Sequence, residues 1–321
     1  MPIITNRNQS LEIAEKAAAC GTSLAIFGTA THWNTEAILL AAQRIAEKYS
    51  LKTIPVVVSS TFTYEHMPQA KRFLYCKDPR AGLLSNLAHL DVLCNNKYSA
   101  YPNVLVLPHL DHADPVRDKW ALTVGAQYFS SVMFDAQRFS PEENRALTKV
   151  YAQSYGKELV VEGIMETLNV EGSSRAAQAD NYCQYAADYV KDTGIDFLVA
   201  DLGTEQQASS TGGGAYYADR AQALTEALQR KMLVLHGTSC LTNDQIKGLA
   251  DDGVVRVNMW TRIAREAGQY AANKTVSQMD AIQSGDFDAA ESGRYIWDNL
   301  EKATELMMEM MELFGYGNWV D

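Results

Sequence analysis

Several common sequence features are missing from this chain of 321 residues, and each absence excludes a class of protein. No apolar run approaches the ~20 residues that a membrane span needs, and the first residues show no basic segment followed by an apolar core, as a secretory signal would. The five cysteines are scattered and form no Cys-x-x-Cys pair, which argues against a disulfide framework or a cysteine zinc site. We therefore expect a reduced, cytoplasmic protein without a membrane partner.

Motifs for nucleotide and acyl-transfer chemistry are also missing. The sequence has no Gly-x-x-x-x-Gly-Lys-Ser/Thr phosphate loop, no glycine-rich dinucleotide fingerprint and no Gly-x-Ser-x-Gly nucleophile elbow. The formal net charge of −11 argues against nucleic acid as a partner, because the phosphate backbone would be repelled. A small anionic ligand is still compatible with this charge, since a local site can be cationic in an acidic protein.

Short apolar and β-branched runs recur along the chain, with helical patterns between them. Most of these runs are apolar without alternation, which is typical of strands covered on both faces. They occupy residues 24–27, 54–58, 104–107, 131–134, 159–162, 197–200, 232–235 and 254–258. Eight strands alternating with helices predict an α/β fold, a (β/α)8 TIM barrel, with residues 1–321 as a single domain that ends in an amphipathic helix near 295–314. An open, doubly wound sheet is the alternative fold.

Titratable side chains stand where two of the predicted strands end. Residues 107–112 read Leu-Pro-His-Leu-Asp-His after a buried run, and His236 follows another run, before a Gly-Thr-Ser turn. In a barrel the carboxyl ends of all strands meet at one face, so we expect His112 and His236 to lie close together. Imidazoles on rigid strand ends suit a divalent metal such as zinc. A hydrogen-bonded core position is the alternative role for each histidine.

Further polar residues follow the other strands at the same predicted face. They are Asp135 after strand 4, Glu162 after strand 5, Glu205 and Gln206 after strand 6, and Asn258 at strand 8. Asp135, Glu162 and Gln206 are candidates for a second metal site or for groups that support the first. His109 points away from its neighbour Leu110 and is a candidate substrate contact.

A set of short motifs occurs in a consistent order through nearly the whole chain. Residues 109–112 read His-Leu-Asp-His, residues 132–135 read Val-Met-Phe-Asp, and residues 233–237 read Leu-Val-Leu-His-Gly. Residues 257–258 are Val-Asn, and residues 312–315 are Glu-Leu-Phe-Gly. In this order the motifs resemble those of the class II, metal-dependent ketose-bisphosphate aldolases. The resemblance implies the same barrel fold and a carbon–carbon lyase.

The departures from the family pattern fall on the metal site and the phosphate pocket. Where the family has Gly-Thr-Ala-His-Gly, residues 203–207 read Gly-Thr-Glu-Gln-Gln, so the third imidazole ligand is absent. Ile164 replaces the second glutamate of the family's Val-Glu-Ala-Glu, and residues 259–262 read Met-Trp-Thr-Arg where the family has x-Asp-Thr-Asp. These changes predict a divergent member with a different substrate, a different metal site or lost activity.

The resemblance implies a role for each candidate site residue. His112 and His236 would hold one divalent metal, zinc being the best fit, with Glu205 as the replacement third ligand. Asp111 would be the general acid/base at the cleaved bond, and Glu171, on the loop after strand 5, is the candidate base at the substrate carbon. Substrate contacts would come from Gly237, Ser239, Asn258, Thr261 and Arg262.

We therefore expect an aldolase-type lyase of carbohydrate metabolism that cleaves a ketose or ketose phosphate through a metal-stabilised ene-diolate. The expected substrate is a small anionic carbohydrate, and the expected assembly is a homodimer or homotetramer. Because Trp260 and Arg262 replace aspartates, fructose 1,6-bisphosphate is predicted to be a poor substrate. Two alternatives are open: a sugar isomerase or epimerase on the same scaffold, and a barrel that binds sugar without catalysis.

Overall fold

The chain forms a closed barrel of eight parallel strands, each paired with its neighbours in sequence and the last with the first. The structure is a computed structural model that describes residues 3–95, 97–171 and 181–321. The strands are β1 (Leu24–Gly28), β2 (Ile54–Thr61), β3 (Val104–Ala113), β4 (Ser131–Phe134), β5 (Val160–Ile164), β6 (Phe197–Val199), β7 (Leu233–Leu235) and β8 (Val254–Met259). Because the strands are parallel, their carboxyl ends all open at one face of the barrel.

Helices follow the strands and cover the outside of the barrel. In the described ranges they are α1 (Arg7–Ala19), α2 (His32–Tyr49), α3 (Pro79–Cys94), α4 (Lys119–Leu122), α5 (Pro141–Tyr155), α6 (Tyr182–Thr193), α7 (Ala218–Leu228), α8 (Thr261–Ser277), α9 (Met279–Ser284), α10 (Phe287–Ala290) and α11 (Ser292–Leu313). A capping box starts α5, where Ser140 and Glu143 exchange hydrogen bonds. None of these helices combines the length and apolar character of a membrane span.

The predicted (β/α)8 barrel is confirmed, and every predicted strand overlaps an observed one. The main difference is that β2 and β3 continue beyond their apolar runs, to Thr61 and Ala113. Their polar ends remain paired, from Ser59 with His109 to Thr61 with Asp111. Main-chain hydrogen bonds extend these strands where hydropathy alone does not mark them.

The carboxyl-terminal residues contact the amino-terminal side of the barrel. The Tyr316 hydroxyl is buried, donates to the Pro55 carbonyl and accepts from the Ala25 amide, each at 3.0 Å. The predicted amphipathic helix near 295–314 corresponds to α11, which packs against α2 and α8. The Tyr316 contacts hold the starts of β1 and β2, opposite the face at which the carboxyl ends of the strands open.

Candidate active site

A pocket of about 510 Å³ opens at the carboxyl ends of the strands. Its walls come from β3, from the segment after β2, and from the loops that follow β6, β7 and β8. The sequence-predicted site residues that line it are Asp111, His112, Gln206, His236, Gly237, Ser239, Asn258 and Thr261. The fold therefore gathers side chains that are far apart in sequence into one site.

Asp111 and His112 are neighbours in β3, yet both line the pocket. In a regular strand, successive side chains point to opposite faces. The pairing of β3 with β4 shifts register between Leu110 and Ala113, and His112 has a φ of +46°, which is uncommon for a residue with a side chain. This bulge brings a carboxylate and an imidazole to the same site, at the expense of local backbone strain.

Three buried side chains form a group with the chemistry of a metal site. One ligand atom from each of Asp111, His112 and His236 lies within 4.8 Å of the others. The structure thus brings the two predicted histidine ligands together. Two imidazole nitrogens and a carboxylate oxygen fit a catalytic divalent metal, which commonly takes three protein ligands and keeps one position open.

Asp135 orients one of these imidazoles. Its Oδ2 atom lies 2.7 Å from Nδ1 of His112, and Gln137 donates to the same carboxylate from its backbone amide at 3.1 Å and its side chain at 2.8 Å. This contact fixes the imidazole ring and leaves Nε2 as the nitrogen available to a ligand. Burial lowers the pKa of His112, but Asp111 and Asp135 outweigh burial and raise it overall.

The other two members of the group have atoms without partners. Among the described residues, nothing hydrogen-bonds to Nε2 of His236 or to Oδ1 of Asp111, and both atoms are buried. Burial and the nearby His112 hold the pKa of His236 well below its usual value, so its imidazole is neutral. Burial raises the pKa of Asp111, while Asn258 donates to its Oδ2 at 3.0 Å. Buried polar atoms without partners are rare, and these two belong to residues that line the open pocket, where a ligand can reach them.

Tyr64 is a pocket residue that the sequence analysis did not identify. Its ring stacks on His112 with centroids 4.2 Å apart and planes 9° apart, and its hydroxyl donates to Oε1 of Gln206 at 3.0 Å. Tyr64 lies in the segment between β2 and α3. The length of this segment is the feature of the sequence that marks it as a candidate part of the site. No local pattern in that segment indicates which of its side chains turns inward.

The side chain of Gln206, in the loop after β6, lines the pocket. Glu205 does not belong to the group formed by Asp111, His112 and His236. Gln206 forms an isolated β-bridge with Val170 through the main chain. The backbone amide of Gln206 donates to the Asn169 carbonyl, and the backbone carbonyl of Gln206 accepts from the Glu171 amide. This pairing with the loop after β5 fixes which side chain faces inward. The carboxylate of Glu171 is exposed and accepts from the amide and the hydroxyl of Ser209, so it does not line the pocket.

A second set of buried polar groups lies deeper in the barrel. Glu162 forms an ion pair with Arg256, and its other oxygen lies 3.7 Å from Nε2 of His109. Ser131 joins the set, since its Oγ lies 2.8 Å from Nδ1 of His109 and accepts from Arg256 at 3.1 Å. Burial raises the pKa of Glu162 to about 7 despite the opposing charge of Arg256. His109 and Glu162 are therefore enclosed and do not line the pocket.

The turn after β7 is built from small residues. Gly237 has a φ of +71°, and a Cβ there would lie 2.9 Å from Oγ1 of Thr204. The Ser239 hydroxyl accepts from the Ala208 amide at 3.1 Å, and Thr238 donates to the Asn258 carbonyl at 2.8 Å. These contacts tie the loops after β6, β7 and β8 into one wall.

The segment after β8 separates two predicted substrate contacts. Thr261 lines the pocket beside Trp260, but the buried Arg262 does not. Its guanidinium donates to Glu266 at 3.2 Å and to Asn243 at 2.9 Å. The first turn of α8 accounts for this, because it directs Arg262 along the helix toward Glu266, four residues on.

The family model for class II fructose-bisphosphate aldolase matches residues 8–318. Among relatives, the fructose-bisphosphate aldolase of Streptococcus pneumoniae is 27% identical over 217 residues, which cover 66% of this chain and 72% of that protein. The fructose-bisphosphate aldolase of Giardia intestinalis is 31% identical over 166 residues, half of each chain.

Solved structures show the same fold. The fructose-bisphosphate aldolase of Campylobacter jejuni superposes with a TM-score of 0.77 at 18% identity, covering 99% of this chain and 97% of that one. The YdjI aldolase of Escherichia coli K12 gives a TM-score of 0.65 at 18% identity, over 98% and 97% of the two chains. These superpositions agree with the barrel derived from the strand order.

Proposed function

Because the chain belongs to the class II fructose-bisphosphate aldolase family, we propose that it is a metal-dependent lyase that cleaves a carbon–carbon bond of a ketose or ketose phosphate. The observation that carries this proposal is the buried group of Asp111, His112 and His236 at the mouth of the barrel. Its two imidazoles can hold a divalent metal, and its carboxylate lies beside them with one oxygen that has no partner among the described residues.

His112 and His236 would hold the metal, and zinc is the proposed ion because both ligands are imidazoles. A divalent ion held by these residues would supply positive charge to polarise the carbonyl of the substrate. Asp135 supports this role by fixing the ring of His112. Glu205, proposed from the sequence as third ligand, would have to move inward to contribute.

Asp111 is the proposed general acid/base. Asn258 occupies its Oδ2, and its buried Oδ1 is left to exchange a proton with the hydroxyl at the bond that breaks. Glu171 is proposed as the base at the substrate carbon only if its hydrogen bonds to Ser209 open, because its carboxylate lies outside the pocket lining.

We propose that the substrate carries one anionic group or none. Trp260 stands in the pocket wall where the resemblance places an aspartate. Gly28 at the end of β1 leaves space for it, since a Cβ at that position would lie 3.0 Å from Cβ of Trp260. Neither lysine nor arginine is found among the residues that line this pocket in the described part of the chain. A second phosphate would therefore lack a cationic partner.

The experiment is elemental analysis of the purified protein, followed by a screen of phosphorylated and unphosphorylated ketoses for aldehyde release. We expect one divalent metal per chain and cleavage of a ketose with at most one phosphate. Efficient cleavage of fructose 1,6-bisphosphate, unaffected by Trp260→Asp, would contradict the substrate proposal. Interconversion of sugars without aldehyde release would replace the lyase by an isomerase or epimerase.

Assembly and location complete the proposal. We propose that the chain forms a homodimer or homotetramer, because the aromatic residues Phe287 on α10 and Trp297 on α11 are exposed. We also propose that the protein is cytoplasmic. Sedimentation velocity of the purified chain measures the assembly, and a monomer at micromolar concentration would contradict it. Fractionation of the source cells tests the location.

A further inference from the structure

Gln206 occupies the place of the third imidazole ligand of the family pattern, but its amide is not oriented as a metal ligand. Its Oε1 accepts a hydrogen bond of 3.0 Å from the Tyr64 hydroxyl. Its Nε2 is buried and has no partner among the described residues. An amide NH₂ group has two protons to donate and no lone pair for a cation. The Nε2 group of Gln206 is therefore an unused hydrogen-bond donor in the pocket that contains Asp111, His112 and His236.

Two sets of contacts fix this orientation. The backbone of Gln206 is held by the bridge to Val170, through hydrogen bonds of 2.8 Å to Asn169 and 3.1 Å from Glu171. The ring of Tyr64 is held by its parallel stack on His112, which places its hydroxyl at Oε1. With the acceptor end of the amide used by Tyr64, the donor end is left for another group.

We propose that Gln206 Nε2 donates a hydrogen bond to a substrate oxygen, and that Tyr64 is the positioning residue that holds the amide in this orientation. A buried donor without an acceptor has lost the hydrogen bond that it made to water in the unfolded chain, and a substrate oxygen restores one. An oxygen that gains negative charge during cleavage would accept this bond most strongly in the transition state. The chain would thus have exchanged a metal ligand for an oxyanion donor. This inference rests on the proposed function for the identity of the oxygen.

The competing role is coordination of the metal by Oε1 after the amide has turned over. In that arrangement Nε2 would donate to the Tyr64 hydroxyl, and removal of the amide would weaken metal binding. The two roles therefore differ in metal affinity, which can be measured without turnover.

The experiment compares Gln206→Leu, Tyr64→Phe and the double variant with the wild type. Metal affinity is measured by competition with a chromophoric chelator, and substrate-like binding with a small hydroxy-hydroxamate, a planar mimic of an ene-diolate. For Gln206→Leu we expect unchanged metal affinity, weaker hydroxamate binding and a kcat lower by about 10²–10³-fold, as for loss of one oxyanion donor. Tyr64→Phe keeps the stack and should lose less.

The double variant tests the coupling. Because Tyr64 is proposed to act through Gln206, the double variant should be no worse than Gln206→Leu alone. Tyr128→Phe, at an exposed tyrosine of a short turn before β4, is the matched control and should behave as the wild type. Circular dichroism and thermal unfolding establish that each variant is folded.

Each remaining outcome contradicts the donor role, the positioning role of Tyr64 or the proposed function. A loss of metal affinity of about tenfold or more in Gln206→Leu would overturn the donor role in favour of coordination. Unchanged hydroxamate binding and kcat would also overturn the donor role, and additive effects in the double variant would overturn the positioning role of Tyr64. A wild type that binds metal and hydroxamate but cleaves no ketose would contradict the lyase and leave the donor role supported by the binding data. A wild type that binds no hydroxamate would overturn both.

Discussion

Two layers of buried polar side chains lie inside the barrel, and they differ in how their charge is balanced. In the deeper layer, Glu162 has a fixed cation beside it, the guanidinium of Arg256. At the mouth, Asp111 and Asp135 face two imidazoles, and the described pocket lining contains no lysine or arginine. The carboxylate of the deeper layer already has a cation beside it, whereas carboxylates without a fixed cation form a place for a metal ion.

The largest effect that this comparison predicts is at a mouth histidine. His236→Ala should lose the bound metal and nearly all activity, because it removes one of two imidazole ligands and with it several kcal/mol of transition-state stabilisation. Metal content is measured by elemental analysis and activity by aldehyde release. The matched control is His109→Gln in the deeper layer, which should keep the metal. Full metal retention in His236→Ala would remove this residue from the ligand set.

The next effect separates catalysis from metal binding within the mouth layer. Asp111→Asn should lower kcat by about 10²–10⁴-fold, the usual contribution of general acid/base catalysis, because the amide keeps the shape and cannot transfer the proton. The metal should remain in place. Loss of the metal in this variant would instead make Asp111 a ligand, and a wild-type rate would make it structural.

A substitution in the deeper layer should lower the free energy of unfolding. Arg256→Met leaves Glu162 buried without its cation, so the free energy of unfolding should fall by about 3–5 kcal/mol. Denaturant unfolding of the variant and the wild type measures this loss. The double variant Arg256→Met with Glu162→Gln should recover part of the loss. A stable Arg256→Met protein that has lost its metal would show that the two layers are not separate.

Asp135 belongs to the mouth layer but is predicted to act through His112. Asp135→Asn should weaken metal binding by about 10–100-fold, since the Nδ1 contact would no longer involve a charged acceptor. Chelator competition gives the affinity directly. An effect as large as that of His236→Ala would place Asp135 among the metal ligands themselves.

The fold and the mouth histidines could be predicted because both depend on patterns of short range. Eight apolar runs mark the strands, and parallel strands must end at one face, which places His112 and His236 together. The bulge that turns Asp111 into the same pocket has no such pattern, since alternation predicts opposite faces. The choice between Glu205 and Gln206 depends on a bridge between two loops, and Tyr64 on long-range packing, so neither follows from local sequence.

The smallest predicted effect concerns a buried cation that the sequence analysis assigned to the substrate. Arg262 is balanced by Glu266 and hydrogen-bonded to Asn243, as Arg256 is balanced in the deeper layer. Arg262→Met should therefore leave KM for a ketose phosphate nearly unchanged, with some loss of stability of the order of 1 kcal/mol from the broken contacts. Trp260→Asp, at the neighbouring residue that does line the pocket, is the matched comparison and should change KM. A large rise in KM for Arg262→Met, seen only with anionic substrates, would show that Arg262 binds the substrate although Glu266 balances its charge. Charge balance would then not distinguish structural groups from ligand-binding groups in this barrel.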